Sequence, residues 1–237
     1  MDAQHTAGDA NGTAVSPAAP AALVSSVTAY VKSYMAKYDG SHDYHHIERV
    51  VGLARHIRSQ SSPDVPAGRT DIHVVTLAAL LHDVGDKKYL KPGEDHTTMV
   101  SSLLVSLGAD AQLAQKVQTI CLGVSYSSEV KAPEKVAKLI TEHPELSIVQ
   151  DADRLDAIGA IGIGRTFTFG GAKSTIGDGR SMYDTIEHFH EKLLKLEDMM
   201  KTDVGRQLAR EKTVRMEKFL EWWADEKAFA GASGLEA

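Results

Sequence analysis

Two short segments and one further imidazole hold most of the residues in this chain that are suited to chemistry. Leu81-His82-Asp83-Val84-Gly85-Asp86 places a vicinal His-Asp pair at the end of an apolar run. Gln150-Asp151-Ala152-Asp153-Arg154-Leu155-Asp156 puts three carboxylates within seven residues. Ionised aspartate is seldom buried unless it is paired or binds a metal. Upstream stands His42-Asp43-Tyr44-His45-His46. Together with His46, the two segments offer two imidazoles and two carboxylates. That set suits a divalent transition metal and leaves positions for water and substrate.

Helices must position these residues. Leu23, Val27, Tyr30, Val31 and Tyr34 recur at spacings of three and four, which predicts a helix from about Pro20 that breaks at Gly40-Ser41. A second helix is predicted from about Asp43 to Gln60, with Ile47, Val50, Val51 and Ala54 inward; His42, His46 and Arg49 share one of its faces. Ser61 to Gly68 has the composition of a loop. Asp71 opens a third helix that is apolar on nearly every side, and His82 and Asp83 fall in its last turn. Being adjacent, they diverge by about 100° of helical rotation, yet both reach one ion placed just beyond the helix end. Further helices are predicted at about 95–107, 110–123, 133–142 and 145–159, with Pro133 and Pro144 as first-turn prolines. Val149, Asp153 and Asp156 share a face of the last of these. Gly159 to Gly179 holds seven glycines and little periodicity, so a partly ordered loop is expected there. Two long amphipathic helices, about 182–201 and 203–229, complete the pattern. Nothing reads as a strand, and the predicted class is all-α.

Composition narrows the function. At 237 residues and 43% hydrophobic content, one core suffices and no second domain is required. The net charge of −6 gives no basic face for nucleic acid, and none is expected as a partner. No apolar run approaches the roughly 18 residues of a membrane span. The lone Cys121 excludes an intramolecular disulfide and a thiolate cluster from one chain; between Val117, Ile120 and Leu122 it reads as core packing. Residues 1–20 read as a disordered leader without secretory features, which leads to the expectation of a cytoplasmic protein. The domain is expected at 21–230, with its metal core at about 42–160, followed by a short tail at 231–237.

The ordered set of motifs resembles the HD-domain superfamily of metal-dependent phosphohydrolases, whose signature is H…HD…D on a helical scaffold. The likeness is strongest to small standalone HD proteins. It is carried by His42-Asp43-Tyr44-His45-His46-Ile47-Glu48-Arg49-Val50, by Leu80-Leu81-His82-Asp83, and by Asp151 through Ala160. It continues through Arg165-Thr166-Phe167 and His188-Phe189 to Leu194, and spans about residues 22–222. The resemblance implies a single-domain helical HD fold and four metal ligands: His46, His82, Asp83 and Asp153. His46 rather than His45 precedes x-x-Arg-Val at the family spacing, and Asp153 rather than Asp151 has the Ala-Asp-Arg-Leu context of the ligand. His42 and Asp151 become candidates for supporting the ligands. Related proteins often carry a histidine where this chain has Val124, and the lack of it argues for one metal ion rather than two.

One divalent ion is therefore expected, of Mn, Co, Ni, Fe, Zn or Mg, with imidazole favouring the transition metals. Phosphoryl chemistry also needs positive charge near the non-bridging oxygens. Lys87 and Lys88 follow the HD turn, and Arg49, Arg154 and Arg165 are the arginines expected to bind substrate. Asp86, four residues after His82, is the expected acid or base, a position where related enzymes often carry an acidic residue. Ser125, Tyr126 and Ser127 are further candidates for lining the pocket. The expected activity is hydrolysis of a phosphorylated small molecule, a nucleotide first among them, as a nucleoside-triphosphate pyrophosphohydrolase or a nucleotidase. The alternatives are a cyclic-nucleotide phosphodiesterase, a guanosine-tetraphosphate hydrolase, or a sensor that binds metal and nucleotide without turnover. The long C-terminal helices are candidates for a homodimer interface or for a cover over the pocket.

Overall fold

The computed structural model describes residues 20–37, 43–63, 66–86, 90, 92–174 and 181–231. The expected leader and tail lie outside these residues, apart from Pro20 and Gly231. Eleven α-helices and no strand are found among the described residues, so the all-α expectation holds. The helices are α1 (Pro20–Met35), α2 (Tyr44–Gln60), α3 (Ile72–Leu81), α4 (Met99–Ser106), α5 (Ala111–Val124), α6 (Tyr126–Lys131), α7 (Pro133–Glu142), α8 (Glu145–Asp156), α9 (Gly159–Ser174), α10 (Met182–Glu191) and α11 (Asp203–Gly231). Tighter 3-10 turns cover Pro66–Arg69 and Leu193–Met199.

Helix starts follow local chemistry. Asp43, Asp71 and Asp110 each accept a hydrogen bond from a backbone N–H in the first turn, of His46, His73 and Leu113 respectively. Ser181 and Asp184 form a reciprocal capping box at α10. The fourth helix begins at Met99 rather than near 95, because the Asp95 carboxylate accepts from Thr97 N and Oγ1 at 2.9 and 2.7 Å and holds a turn there.

Helix α3 is the axis of the domain. Every residue from Val74 to Leu81 is buried, with α1, α2, α5 and α8 packed around it. Helix α2 lies against both α3 and α8. These three helices bring the ends of α3 and α8 to one face of α2. Cys121 is buried in the core, its Sγ 3.7 Å from the Ala78 carbonyl, and burial pushes its thiol pKa far up.

Two expectations need correction. Gly159–Ser174 is a helix, not a loop. Its stability comes from packing on α10 and α11, which intrinsic propensity does not register. Phe167 lies at ring-centroid distances of 6.3, 6.0 and 6.0 Å from Phe189, Phe219 and Trp223. Gly162 belongs where it is because a Cβ there would fall 2.2 Å from the Ala157 carbonyl oxygen. Residues 175–179 of the expected loop lie outside the described residues. The helix expected at 182–201 is also interrupted. Lys192 leaves helical geometry at φ −136°, and the chain continues in a 3-10 turn that directs buried Leu193 and Leu196 inward. Their spacing of three matches the three-residue period of that turn.

Candidate metal centre

The His-Asp pair stands just past the end of α3 rather than in its last turn, because the helix stops at Leu81. His82 caps the helix in the αR region, and Gly85 then turns the chain away at φ +81°. A Cβ at Gly85 would also stand 3.2 Å from Met99 Sδ. Gly85→Ala is therefore expected to cost about 1–2 kcal/mol, from the left-handed backbone alone. The urea midpoint of the variant reports it.

His46, His82 and Asp83 come together at this point, and Asp153 approaches the two imidazoles. His46 Nε2 lies 3.3 Å from His82 Nε2, 3.4 Å from Asp83 Oδ2 and 3.5 Å from Asp153 Oδ1. His82 Nε2 lies 3.5 Å from Asp83 Oδ1 and 3.7 Å from Asp153 Oδ1. Ligands at the ~2.1 Å typical of such ions stand about 3.4 Å apart around a tetrahedron, and about 3.0 Å apart as neighbours in an octahedron. The observed spacings fall at or just above that range. The imidazoles are buried, while the Asp83 and Asp153 side chains keep 21% and 30% exposure, so the cluster opens towards solvent on its carboxylate side.

The outer nitrogens set the direction of the inner ones. His82 Nδ1 lies 2.8 Å from the Ala79 carbonyl, which only accepts, so Nδ1 carries the hydrogen. His46 Nδ1 lies 2.8 Å from Asp156 Oδ2 and donates to it. Both Nε2 atoms therefore face the two carboxylates. Burial alone would lower the pKa of His46, but hydrogen bonds to Asp156 and Asp83 outweigh it and raise it to about 9. The site attracts positive charge, and His46, His82 and Asp83 offer ligand atoms close enough together to hold a divalent cation, with Asp153 facing both imidazoles.

Asp156 is a residue that sequence reasoning did not assign to the site. Besides His46, its carboxylate accepts from Arg49 Nε at 2.6 Å, Arg49 Nη2 at 3.0 Å and Arg165 Nη1 at 3.0 Å. Burial raises its pKa, yet the hydrogen bonds from His46 and Arg49 bring it well below the usual carboxylate range. The available signal was its spacing, one turn beyond Asp153 on the same face.

The remaining candidates are placed as follows. His45 points outward, 75% exposed and 2.9 Å from Glu48. Asp151, the expected support for the ligands, instead turns away from the cluster and binds the backbone N–H groups of Lys201 and Thr202. Asp153, two positions on, faces the other side of α8, because two residues turn a helix by about 200°. Arg154 is buried, its Nη2 on Glu129 of α6. Asp86 is half-buried in the turn, its backbone N–H donating to the Asp83 carbonyl at 3.3 Å. Val124 is buried in the core. Ser125 lies at the junction of α5 and α6, and the Lys192 ammonium lies over the Tyr126 ring at 4.6 Å. His42, Lys87 and Lys88 lie outside the described residues.

This helical scaffold, with a His-Asp pair closing its central helix, matches the HD domain over residues 43–158. The chain belongs to the HD-domain family. It is similar to YpgQ of Bacillus subtilis strain 168, an uncharacterized protein, at 36% identity over 196 residues, 82% of this chain and 88% of YpgQ. The crystal structure of YpgQ in complex with ADP superposes with a TM-score of 0.68 at 32% identity, covering 87% of this chain and 96% of that one. An HD-superfamily hydrolase from Bacillus thuringiensis superposes with a TM-score of 0.65 at 32% identity, over 89% and 99% of the two chains. Among the described residues, no helix is long and apolar enough to cross a membrane.

Proposed function

We propose that the protein is a metal-dependent phosphohydrolase whose substrate is a nucleotide, either a nucleoside triphosphate cleaved with release of pyrophosphate or a nucleotide losing phosphate. The observation that carries this reading is the convergence of His46, His82, Asp83 and Asp153 within 3.3–3.7 Å of one another across the pairs given above. One divalent ion held there would withdraw charge from a phosphoryl oxygen and acidify a water at neutral pH. The complex of YpgQ with ADP supports a nucleotide as the ligand class.

The chain's own residues do the rest. Arg49 and Arg165 meet on Asp156, one hydrogen bond from the ligand His46, so two guanidinium groups border the donor cluster. They supply positive charge for the non-bridging oxygens of the substrate. Lys87 and Lys88 follow the HD turn directly in sequence and are proposed as further cations for the substrate. Asp86, three residues after Asp83, accepts or returns the proton that hydrolysis moves. Arg154, buried on Glu129, is assigned in this reading to holding α6 against α8 and not to the substrate. A binding module without turnover is the second reading, and the ADP bound to YpgQ is equally compatible with it.

The test is a hydrolysis panel. Chelator-stripped protein is restored with Mn, Co, Mg or Zn singly and offered nucleoside mono-, di- and triphosphates, their deoxy forms and cyclic nucleotides. The stripped protein is expected to be inactive, and a transition metal to restore turnover. Pyrophosphate from triphosphates identifies a pyrophosphohydrolase, and phosphate from monophosphates a nucleotidase. Tight binding of metal and nucleotide without product under any metal would sink the enzyme reading and leave the sensor.

A further inference from the structure

The two imidazoles of the donor cluster are oriented in different ways. His82 is held by its own helix, through the Ala79 carbonyl three residues back. That contact forms whenever the end of α3 forms. His46 Nδ1 donates instead to Asp156, 110 residues away on α8. Asp156 is itself held from two further directions, by Arg49 on α2 and Arg165 on α9. Lys212 on α11 bonds the carbonyl of the preceding residue, Leu155, at 2.9 Å, and adds a third positive charge nearby.

We propose that Asp156 is the positioning residue of the metal site: it fixes the ring orientation and tautomer of His46, and Arg49 and Arg165 fix Asp156. The inference rests on the metal-site reading above. The physical argument concerns hydrogens. A carboxylate only accepts, so its partner Nδ1 must carry the hydrogen, and the metal-facing Nε2 then offers its lone pair to a cation. An amide in the same place has both a donor and an acceptor end. Its NH2 would face Arg49 Nε at one oxygen position or Arg49 Nη2 and Arg165 Nη1 at the other, so it cannot keep all the contacts that hold the group against Nδ1. The three guanidinium contacts occupy both carboxylate oxygens, so Asp156 cannot swing away from the imidazole without breaking them. Helix α8 thus supplies Asp153 to the donor cluster and, one turn on, the group that aims the imidazole of α2.

The variant Asp156→Asn keeps the size of the side chain. Mn(II) affinity is read by titration calorimetry and the site geometry by the visible absorption of the Co(II)-loaded protein. Affinity is expected to fall about 10–100-fold, and the Co(II) spectrum to change in position or intensity. Arg165→Gln is expected to give a smaller loss in the same direction, because Arg49 still holds the carboxylate. It also serves as the test if Asp156→Asn fails to fold, which circular dichroism detects. Wild-type affinity and an unchanged Co(II) spectrum in a folded Asp156→Asn protein would overturn the proposal, whatever its activity; with that variant unfolded, the same result in Arg165→Gln would do so. Failure of the wild-type protein to bind either metal would instead overturn the metal-site reading on which it rests.

Discussion

Asp83→Ala is expected to lose nucleotide hydrolysis by about a thousandfold or more while staying folded. The substitution removes one of the two carboxylates that face the imidazole pair, with Oδ2 3.4 Å from His46 Nε2 and Oδ1 3.5 Å from His82 Nε2. A bound metal contributes several kcal/mol to the stabilisation of charge developing in the transition state, and about 4 kcal/mol corresponds to a thousandfold in rate. The fold has less at stake. Asp83 follows the helix end, is 21% exposed, and forms no part of the apolar core. The measurement is kcat/KM with Mn(II) at saturation for the wild type, beside the thermal midpoint and metal affinity of both proteins. Retained turnover in a metal-depleted Asp83→Ala protein would contradict the assigned site. A large drop in thermal midpoint would show that Asp83 supports the fold as well.

Asp151→Ala is expected to do the opposite, damaging the fold rather than the donor cluster. The Asp151 carboxylate is buried and accepts from Lys201 N at 2.9 Å, Thr202 N at 2.8 Å and Thr202 Oγ1 at 2.8 Å. Thr202 Oγ1 also accepts from Gly205 N, capping the start of α11. One side chain therefore ties α8 to the junction between the 3-10 turn and α11. Removing it leaves two backbone donors without their acceptor in a dry environment, at a cost of about 3–5 kcal/mol. For a chain of this length that lowers the thermal midpoint by about 10 °C. Gly205→Ala attacks the same junction from the other side, because its Cβ would fall 2.3 Å from Asp151 Oδ2 and 2.7 Å from Thr202 Oγ1. Both variants are expected to melt early and to bind metal normally below their midpoints. A midpoint within 2 °C of the wild type for Asp151→Ala would refute the assignment.

The three aspartates of α8 separate what the order of residues discloses from what it does not. Asp151, Asp153 and Asp156 lie within six positions on one helix, with the same side-chain chemistry. Helical rotation separates Asp151 from the other two, and the grouping of Asp153 with Asp156 on one face was legible from spacing. Their division of labour was not. Asp153 faces the imidazoles because α8 crosses α2 at that level, while Asp156 meets His46, Arg49 and Arg165 one turn later. The partners of Asp151 are fifty residues distant, at the break between the two helices expected at 182–201 and 203–229. The same limit applied to Gly159–Ser174. Its glycines count against a helix on intrinsic preference, and the aromatic contacts of Phe167 that favour one come from α10 and α11.

By itself, the order of residues determined the helical class, the caps at Asp43, Asp71 and Asp110, the fully buried α3 and the identity of the chemically capable groups. Those features depend on periodicity and on contacts within a few positions, which a linear chain expresses directly. Tertiary structure alone decided the spacings at which His82, Asp83 and Asp153 approach His46, and that Asp156 rather than Asp151 stands behind His46. Each of these depends on where helices cross. Crossing is set by the summed packing of the core, to which residues far apart in sequence contribute together.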